Sequence, residues 1–408
     1  MKIAIVNSEY PNSAGSGQGG ISTYTFEIAS ALVNKGHQVH VLARKGMVLD
    51  HFAYKNIKIH NFDFEQPDYI SKILNHIYPE KLYWEKGQSK SLKRKLLEIF
   101  ECDGLDIAEI PEYGGMANQC TSGLPFQIVI NFHTPTEIVD ELNNYPATNS
   151  RRKLYNFERT ALRSASAYRC PSEALKKIVC DRFSIPSSKI RIIRNPLFTG
   201  PFENIEPVQK SDRIDVLFTG RLEYRKGAEV ILRSIKNILA IKADLHVTFA
   251  GETELGEATE YRMAIERVLD SDERKRVWFL GPISSSQLPL LYKRSDIFIF
   301  PSLFENYPYS LIEAMAACLP IVASDTGGIK ELINHNKNGL LFTPGNSDEL
   351  VSQIKFLIDN PSTALKLSEQ AGYYVRAECS PERVAEQTFD FYKKVIDNKL
   401  YENPLHIK

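Results

Sequence analysis

Short apolar runs alternate with longer stretches of helical spacing along the whole chain. The run Ile3 to Val6 is uniformly apolar, as expected of a strand buried on both faces. Behind it, Ile21, Tyr24, Ile28 and Leu32 fall on one helix face within Ile21 to Lys35, and Gly36 ends that helix. A strand at Gln38 to Ala43 follows. This β-α-β beginning predicts a parallel sheet with helices on both faces, because parallel neighbours need a crossover. Further strands are predicted at Ile57 to Phe62, Asp106 to Ile110, Gln127 to Phe132, Tyr168 to Pro171 and Ile190 to Arg194.

A polar, proline-containing stretch from Asn195 to Arg213 interrupts the alternation, which then starts again. The new start is a strand at Ile214 to Thr219 and a helix carrying Ile231, Ile235, Ile238 and Leu239. Strands at Leu245 to Ala250, Val277 to Leu280, Ile297 to Phe300 and Pro320 to Ala323 complete a second predicted sheet. A last helix, from about Pro381 to Asn398, has no strand after it and is expected to pack back on the first domain. The expected division is a Rossmann-like domain over 1–205 joined by 381–408, and a second over 206–380. Both are α/β.

Length agrees with this division, since 408 residues exceed one ordinary core and suit two domains of about 200 each. A cleft between two domains is a natural ligand site. The 43% apolar and 25% charged composition is that of a globular protein, and no run of eighteen apolar residues is present. The start MKIAIVNSEY has no charged region leading into a long apolar one, so an export signal is not expected. Six scattered cysteines without C-x-x-C spacing argue for reduced thiols, and the expected location is the cytoplasm. Fifty basic residues balance fifty acidic ones, which excludes a global positive field for nucleic acid. Anion binding has to be local.

The segment Pro301 to Ala316 carries the most specific chemistry. It follows an apolar strand and leads into a helix, which puts its loop at the carboxyl edge of the second sheet, where open α/β sheets bind ligands. Glu305 and Glu313 cannot share one helix face because Pro308 interrupts the interval, so one sits in the loop and one in the helix. Carboxylates there can accept hydrogen bonds from vicinal sugar hydroxyls, while free N–H groups around Ser310 and Leu311 attract phosphate. A surface Glu and a helix-capping Glu is the other reading of the pair. Near the first strand of the second half, Thr219-Gly220-Arg221-Leu222-Glu223-Tyr224-Arg225-Lys226-Gly227 places Arg221 and Lys226 around a turn. A forked guanidinium and a point-charge ammonium can there meet a pyrophosphate.

These segments resemble glycosyltransferase family 4 of the GT-B fold. The likeness lies in Pro301-Ser302, the two glutamates eight positions apart, Glu313-Ala314-Met315-Ala316, Ile321 to Gly328 and Asn338 to Phe342. It implies two Rossmann-like domains facing a central cleft. It further implies that Glu313 holds the ribose hydroxyls, that Glu305 and the backbone of Asn306 and Tyr307 hold the donor sugar, and that Arg221 and Lys226 clamp the diphosphate. The family usually has Gly, an aromatic and Gly after its first Glu, where this chain has Asn306, Tyr307 and Pro308. In the first half, Gly19 and Gly20 resemble the family's glycine loop near the donor. His133, in Asn131-Phe132-His133-Thr134-Pro135, resembles its cleft histidine, which contacts the donor sugar. Glycines as mere turn formers and an ordinary polar histidine are the alternatives.

Four rivals bear weighing. Gly15, Gly17 and Gly20 satisfy the dinucleotide pattern G-x-G-x-x-G, but several polar residues separate them from Val6, and the second strand ends in Ala43-Arg44-Lys45 without an acid. Asp270-Ser271-Asp272 could hold a divalent ion on a sugar diphosphate, although its charged context suits a solvated connection better. A nucleotide-sugar 2-epimerase shares the architecture, and a non-catalytic carbohydrate-binding protein would have no need of the diphosphate clamp.

The expectation is therefore a retaining hexosyltransferase using a nucleotide-diphosphate sugar, UDP-sugar by preference, with UDP-glucose one candidate. The acceptor is expected to be a glycan or lipid-linked sugar in polysaccharide or glycoconjugate synthesis, with no cofactor and no obligatory metal. Retention and donor preference come from the resemblance alone. Basic residues Lys90, Lys93, Arg94, Lys95, Arg151, Arg152 and Lys153, near Tyr83 and Trp84, suggest peripheral contact with an anionic membrane, against the alternative of a solvated helical face.

Overall fold

The computed structural model describes residues 1–7, 10, 19–44, 56–62, 80–120, 122–203 and 213–398, leaving aside the side chains at 44, 80–84 and 164. The chain forms two compact units, Met1–Pro196 with Pro381–Lys408, and Leu197–Ser380.

The first unit holds a seven-stranded sheet of β1 (Lys2–Val6), β2 (Gln38–Arg44), β3 (Ile57–Phe62), β4 (Ile107–Pro111), β5 (Gln127–Asn131), β6 (Ala167–Cys170) and β7 (Ile190–Ile192). Its order is β3-β2-β1-β4-β5-β6-β7, with every pairing parallel. The order reverses between β1 and β4, the switch point where such sheets leave a crevice for ligands. β4 is buried along its whole length, which explains its unbroken apolar character apart from Glu109. The first helix, Gly20–Asn34, buries Tyr24, Ile28 and Leu32 as their spacing predicts. Gly36 adopts φ +84°, a left-handed turn that releases the chain into β2.

The second unit repeats the plan with six strands, β8 (Ile214–Thr219), β9 (Leu245–Ala250), β10 (Val277–Phe279), β11 (Ile297–Phe300), β12 (Ile321–Ser324) and β13 (Leu340–Phe342). The order is β10-β9-β8-β11-β12-β13, again all parallel. β13 is absent from the expected strands: three residues are too few to show a period, and only pairing with β12 defines it. The helix Ala228–Leu239 drives Ile231, Ile235, Ile238 and Leu239 into the core against Val247 and Phe249.

The boundary falls after Pro196, nine residues before the expected one. Leu197 N–H donates to the Cys379 carbonyl at 2.8 Å, and Phe202 lies 6.1 Å from Tyr292, so 197–203 pack with the second unit although their composition reads as linker. The last helix, Pro381–Ile396, belongs to the first unit, where His37 and Phe389 stack at 4.8 Å.

Candidate active site

In the second unit the loops leaving β8 and β11 are pressed together at the carboxyl edge of the sheet. Gly227, at φ +82°, opens the helix Ala228–Leu239, and a methyl group on it would lie 2.1 Å from the Pro301 carbonyl oxygen. Only glycine allows both that backbone conformation and that approach. Leu303 N–H donates to the Arg225 carbonyl at 2.8 Å, joining the loops by main chain. From the far side, Gly328 N–H donates to the Glu305 carbonyl at 2.8 Å. Glu305 is thereby fixed at a point where three loops meet.

Its side chain is the centre of an ionic cluster. Glu305 Oε1 accepts from Arg225 Nη1 at 2.8 Å and pairs with Lys226 Nζ. Arg225 Nη2 donates to Glu223 Oε1 at 2.8 Å, and Arg221 Nη2 lies 3.4 Å from Glu223 Oε2. Burial pushes the Glu305 carboxyl up, but Lys226 and Arg225 outweigh it and hold it below its ordinary value. Both partners use Oε1, so Oε2 is open among the described residues. The Arg221 side chain is 65% exposed.

Glu313 stands one turn into the helix Tyr309–Ala316. Tyr292 OH donates to its Oε2 at 3.0 Å and also contacts the Ser310 carbonyl at 3.2 Å, while Thr219 Oγ1 lies 3.0 Å from the same hydroxyl. Burial raises the Glu313 carboxyl to about 7, partly opposed by the Tyr292 hydrogen bond. Pro308 precedes the helix, and no side chain caps it. By helix geometry the N–H groups of Ser310 and Leu311 have no intrahelical acceptor, and they form a positive end beside Glu305.

The first unit presents a different arrangement. Glu109, in the middle of β4, accepts from Tyr24 OH at 2.6 Å and Asn131 Nδ2 at 3.0 Å on Oε1, and from Arg169 Nη1 at 3.2 Å and Tyr392 OH at 2.5 Å on Oε2. Arg169 also reaches Thr388 Oγ1 at 3.3 Å and lies over the Tyr24 ring at 5.2 Å. His133 follows β5, edge-on to Tyr24 at 5.3 Å, with Nε2 3.4 Å from Asn131 Nδ2. Burial, aided by Arg169, lowers its pKa to about 3, so it is neutral. Its loop is fixed by Glu112 Oε1, which accepts from the backbone N–H of His133 at 2.9 Å and of Thr134 at 2.7 Å.

The model of glycosyl transferases group 1 matches residues 202–376, and that of Glycosyltransferase Family 4 matches residues 18–199. The chain is a GT-B glycosyltransferase of the family 4 type. An uncharacterized glycosyltransferase of Methanocaldococcus jannaschii is 26% identical over 96% of this chain and 98% of its own. Sucrose-phosphate synthase from Thermosynechococcus elongatus has the same fold, with a TM-score of 0.77 at 20% identity over 97% and 99% of the two chains. Anabaena HepE, solved in complex with UDP-glucose, matches with a TM-score of 0.69 at 18% identity over 97% and 100%.

Within this glycosyltransferase, the structure brings Arg221, Lys226, Glu305, Ser310 and Glu313 to one sheet edge. Leu311 is wholly buried. Asn306 and Tyr307 are buried as well, with Tyr307 OH 3.0 Å from Cys379 Sγ. Gly19 precedes the first helix at φ +107°, with nothing among the described residues within 4 Å of where a Cβ would sit, and Gly20 is the helix's exposed first residue. His133 belongs to the first unit.

Sequence reasoning missed Glu109, Glu112, Arg169, Tyr292 and Tyr392. A signal existed for two of them, since a charge inside an apolar strand, Glu109 in Ile107–Pro111 and Arg169 in Ala167–Cys170, calls for a partner. Asp270 has a structural role: its Oδ1 caps the short helix Ser271–Arg274 through Asp272 and Glu273 N–H, in a full capping box. Of the dinucleotide pattern, Gly15 and Gly17 lie outside the described residues. Much of the basic surface is engaged locally. Lys95 pairs with Glu98 at 2.7 Å, Lys93 donates to the Ser122 carbonyl at 2.8 Å, and Arg151 pairs with Asp140. The Tyr83 and Trp84 side chains lie outside the described residues, and no described helix is long and apolar enough to cross a membrane.

Proposed function

We propose that the enzyme transfers a hexose-type sugar, with retention, from a nucleotide-diphosphate sugar, UDP-glucose by preference, to a glycan or lipid-linked acceptor. The observation that carries this reading is Glu305, whose Oε1 is saturated by cations while Oε2 stays open, beside the uncapped helix start and Glu313. Glu313 accepts from the ribose hydroxyls, Glu305 Oε2 from the donor sugar, and the Ser310 and Leu311 N–H groups with Arg221 and Lys226 receive the diphosphate. The bond from the anomeric carbon to the phosphate oxygen breaks, and the leaving nucleoside diphosphate is stabilised by Lys226 and Arg221 without need of a metal. The acceptor oxygen bonds to the same carbon on the same face, and its proton passes to the departing phosphate oxygen. No protein carboxylate attacks. In the first unit, His133, neutral, is a hydrogen-bonding group suited to sugar hydroxyls, and the backbone at Gly19 and Gly20 is suited to a sugar or phosphate.

The complex of the similarly folded HepE with UDP-glucose supports the choice of donor. Calorimetry with a panel of nucleotide sugars, followed by analysis of released nucleotide and sugar, tests it. Glu313→Ala should weaken nucleoside diphosphate and nucleotide sugar alike, about tenfold, whereas Glu305→Ala should weaken only the nucleotide sugar. Equal losses for both variants with both ligands would remove this division of roles.

A further inference from the structure

Three cations and two carboxylates meet at the β8 and β11 loops, and they are not held alike. Lys226 has one partner among the described residues, the Glu305 carboxylate. Arg225 has three: Glu305 Oε1 at 2.8 Å, Glu223 Oε1 at 2.8 Å and the Phe304 carbonyl at 3.3 Å. The turn that carries it is itself anchored, with Tyr224 N–H donating to Glu257 Oε1 at 3.0 Å. A flexible ammonium with one bond and a planar fork with three respond differently to an arriving anion. A diphosphate, with more charge than a carboxylate, draws the ammonium away first. Glu305 would then be left buried, and a buried carboxylate without a cation takes up a proton.

We propose that Arg225 is a positioning residue that keeps Glu305 ionised, with Oε2 aimed outward, once Lys226 has turned from it to the donor diphosphate. The inference rests on the donor-site reading given above. Charge arithmetic favours it: Glu223 and Glu305 oppose Arg221, Arg225 and Lys226 before the donor binds, and the diphosphate claims Arg221 and Lys226. Arg225 is then the remaining cation shared by the two carboxylates. Glu305 is faced by Lys226 and Arg225, with Glu223 behind Arg225, and no other charged group contacts its carboxylate among the described residues. An ionised Glu305 accepts from two sugar hydroxyls, and a protonated one loses an acceptor site to its own O–H.

The test is carboxyl ¹³C NMR on the full chain labelled at glutamate, with the Glu305 signal identified by its loss in Glu305→Gln. Inorganic pyrophosphate in metal-free buffer is the probe. With pyrophosphate bound, Glu305 of the wild type should stay ionised down to the ordinary carboxylate range, while in Arg225→Met its titration midpoint should lie about two pH units higher. Arg225→Lys, which keeps the charge and loses the fork, should fall between. Pyrophosphate affinity of both variants should remain within about threefold of wild type, because Arg225 faces the carboxylates. A Glu305 midpoint in pyrophosphate-bound Arg225→Met or Arg225→Lys equal to that of wild type overturns the proposal, as does a loss of pyrophosphate affinity comparable to that of Lys226→Ala. Failure of the donor-site reading would show separately, as unchanged pyrophosphate affinity in Lys226→Ala.

Discussion

The two units each contain a glutamate tied to an arginine, and the two pairs differ in what is left over. Glu109 accepts four hydrogen bonds, two on each oxygen, and with Arg169 is almost wholly excluded from solvent. Glu305 receives both its cations on one oxygen and keeps the other open among the described residues. A saturated carboxylate has no capacity for a ligand and acts by holding its neighbours: Glu109 ties Tyr392 and, through Arg169, Thr388 of the last helix to the centre of the first sheet. An unsaturated carboxylate flanked by cations at a loop junction is suited to a partner that arrives later. Equivalent chemistry thus serves architecture in one unit and, in the function proposed, recognition in the other.

Stability of the first unit is where the largest effect is expected. Arg169→Met leaves Glu109 buried without a cation, at a cost of about 3–5 kcal/mol, which lowers the Tm by about 10 °C. Adding Glu109→Gln should restore much of it, since a neutral amide no longer needs the arginine. Calorimetric melting of both variants measures this, and a Tm unchanged in Arg169→Met would erase the distinction between the two clusters.

The second unit should behave in the opposite way. Lys226→Ala should leave the Tm nearly unmoved and reduce turnover at saturating donor by about 10²–10³, the usual loss for a group that stabilises developing charge. His133→Ala should cost less, about tenfold, because a neutral imidazole offers a hydrogen bond and no charge. Steady-state rates of nucleotide release compare them, and an undiminished Lys226→Ala enzyme would show that the cluster around Glu305 is structural too.

The smallest expected effect is on pH dependence. With the Glu313 carboxyl raised to about 7 by burial, its acidic form grows as pH falls below that value and must lose its proton before it can accept from both ribose hydroxyls. Nucleoside diphosphate affinity should therefore be level above about pH 7 and fall as pH drops, by at most about tenfold per pH unit. Calorimetry across this range should find the dependence gone in Glu313→Gln; a wild-type affinity that does not vary between about pH 6 and about pH 8 would detach Glu313 from the nucleotide.

The candidate site residues of the second unit were legible because unusual residue types are concentrated between regular elements there. Arg221, Lys226, Glu305 and Glu313 stand beside strands of plain apolar character, and the structure places them at one sheet edge. Arg225 and Glu223 lie in the same segment, yet nothing in their spacing tells which of three neighbouring cations is anchored by three contacts and which by one. The unit boundary was misplaced for a similar reason, since 197–203 read as linker until Phe202 meets Tyr292 and Leu197 meets Cys379.

By itself the sequence determined the two α/β units, the strands long enough to show an apolar period, and the types of side chain in the loops of the candidate site, because those depend on residues close together along the chain. Tertiary structure alone decided that Tyr24, Glu109, Asn131, Arg169 and Tyr392 form one hub, with Glu109 and Tyr392 283 positions apart. It also decided that Glu305 has one oxygen occupied and one open. Both depend on where strand order and loop packing bring distant side chains, and hydrogen-bond saturation is a property of that neighbourhood rather than of any residue in it.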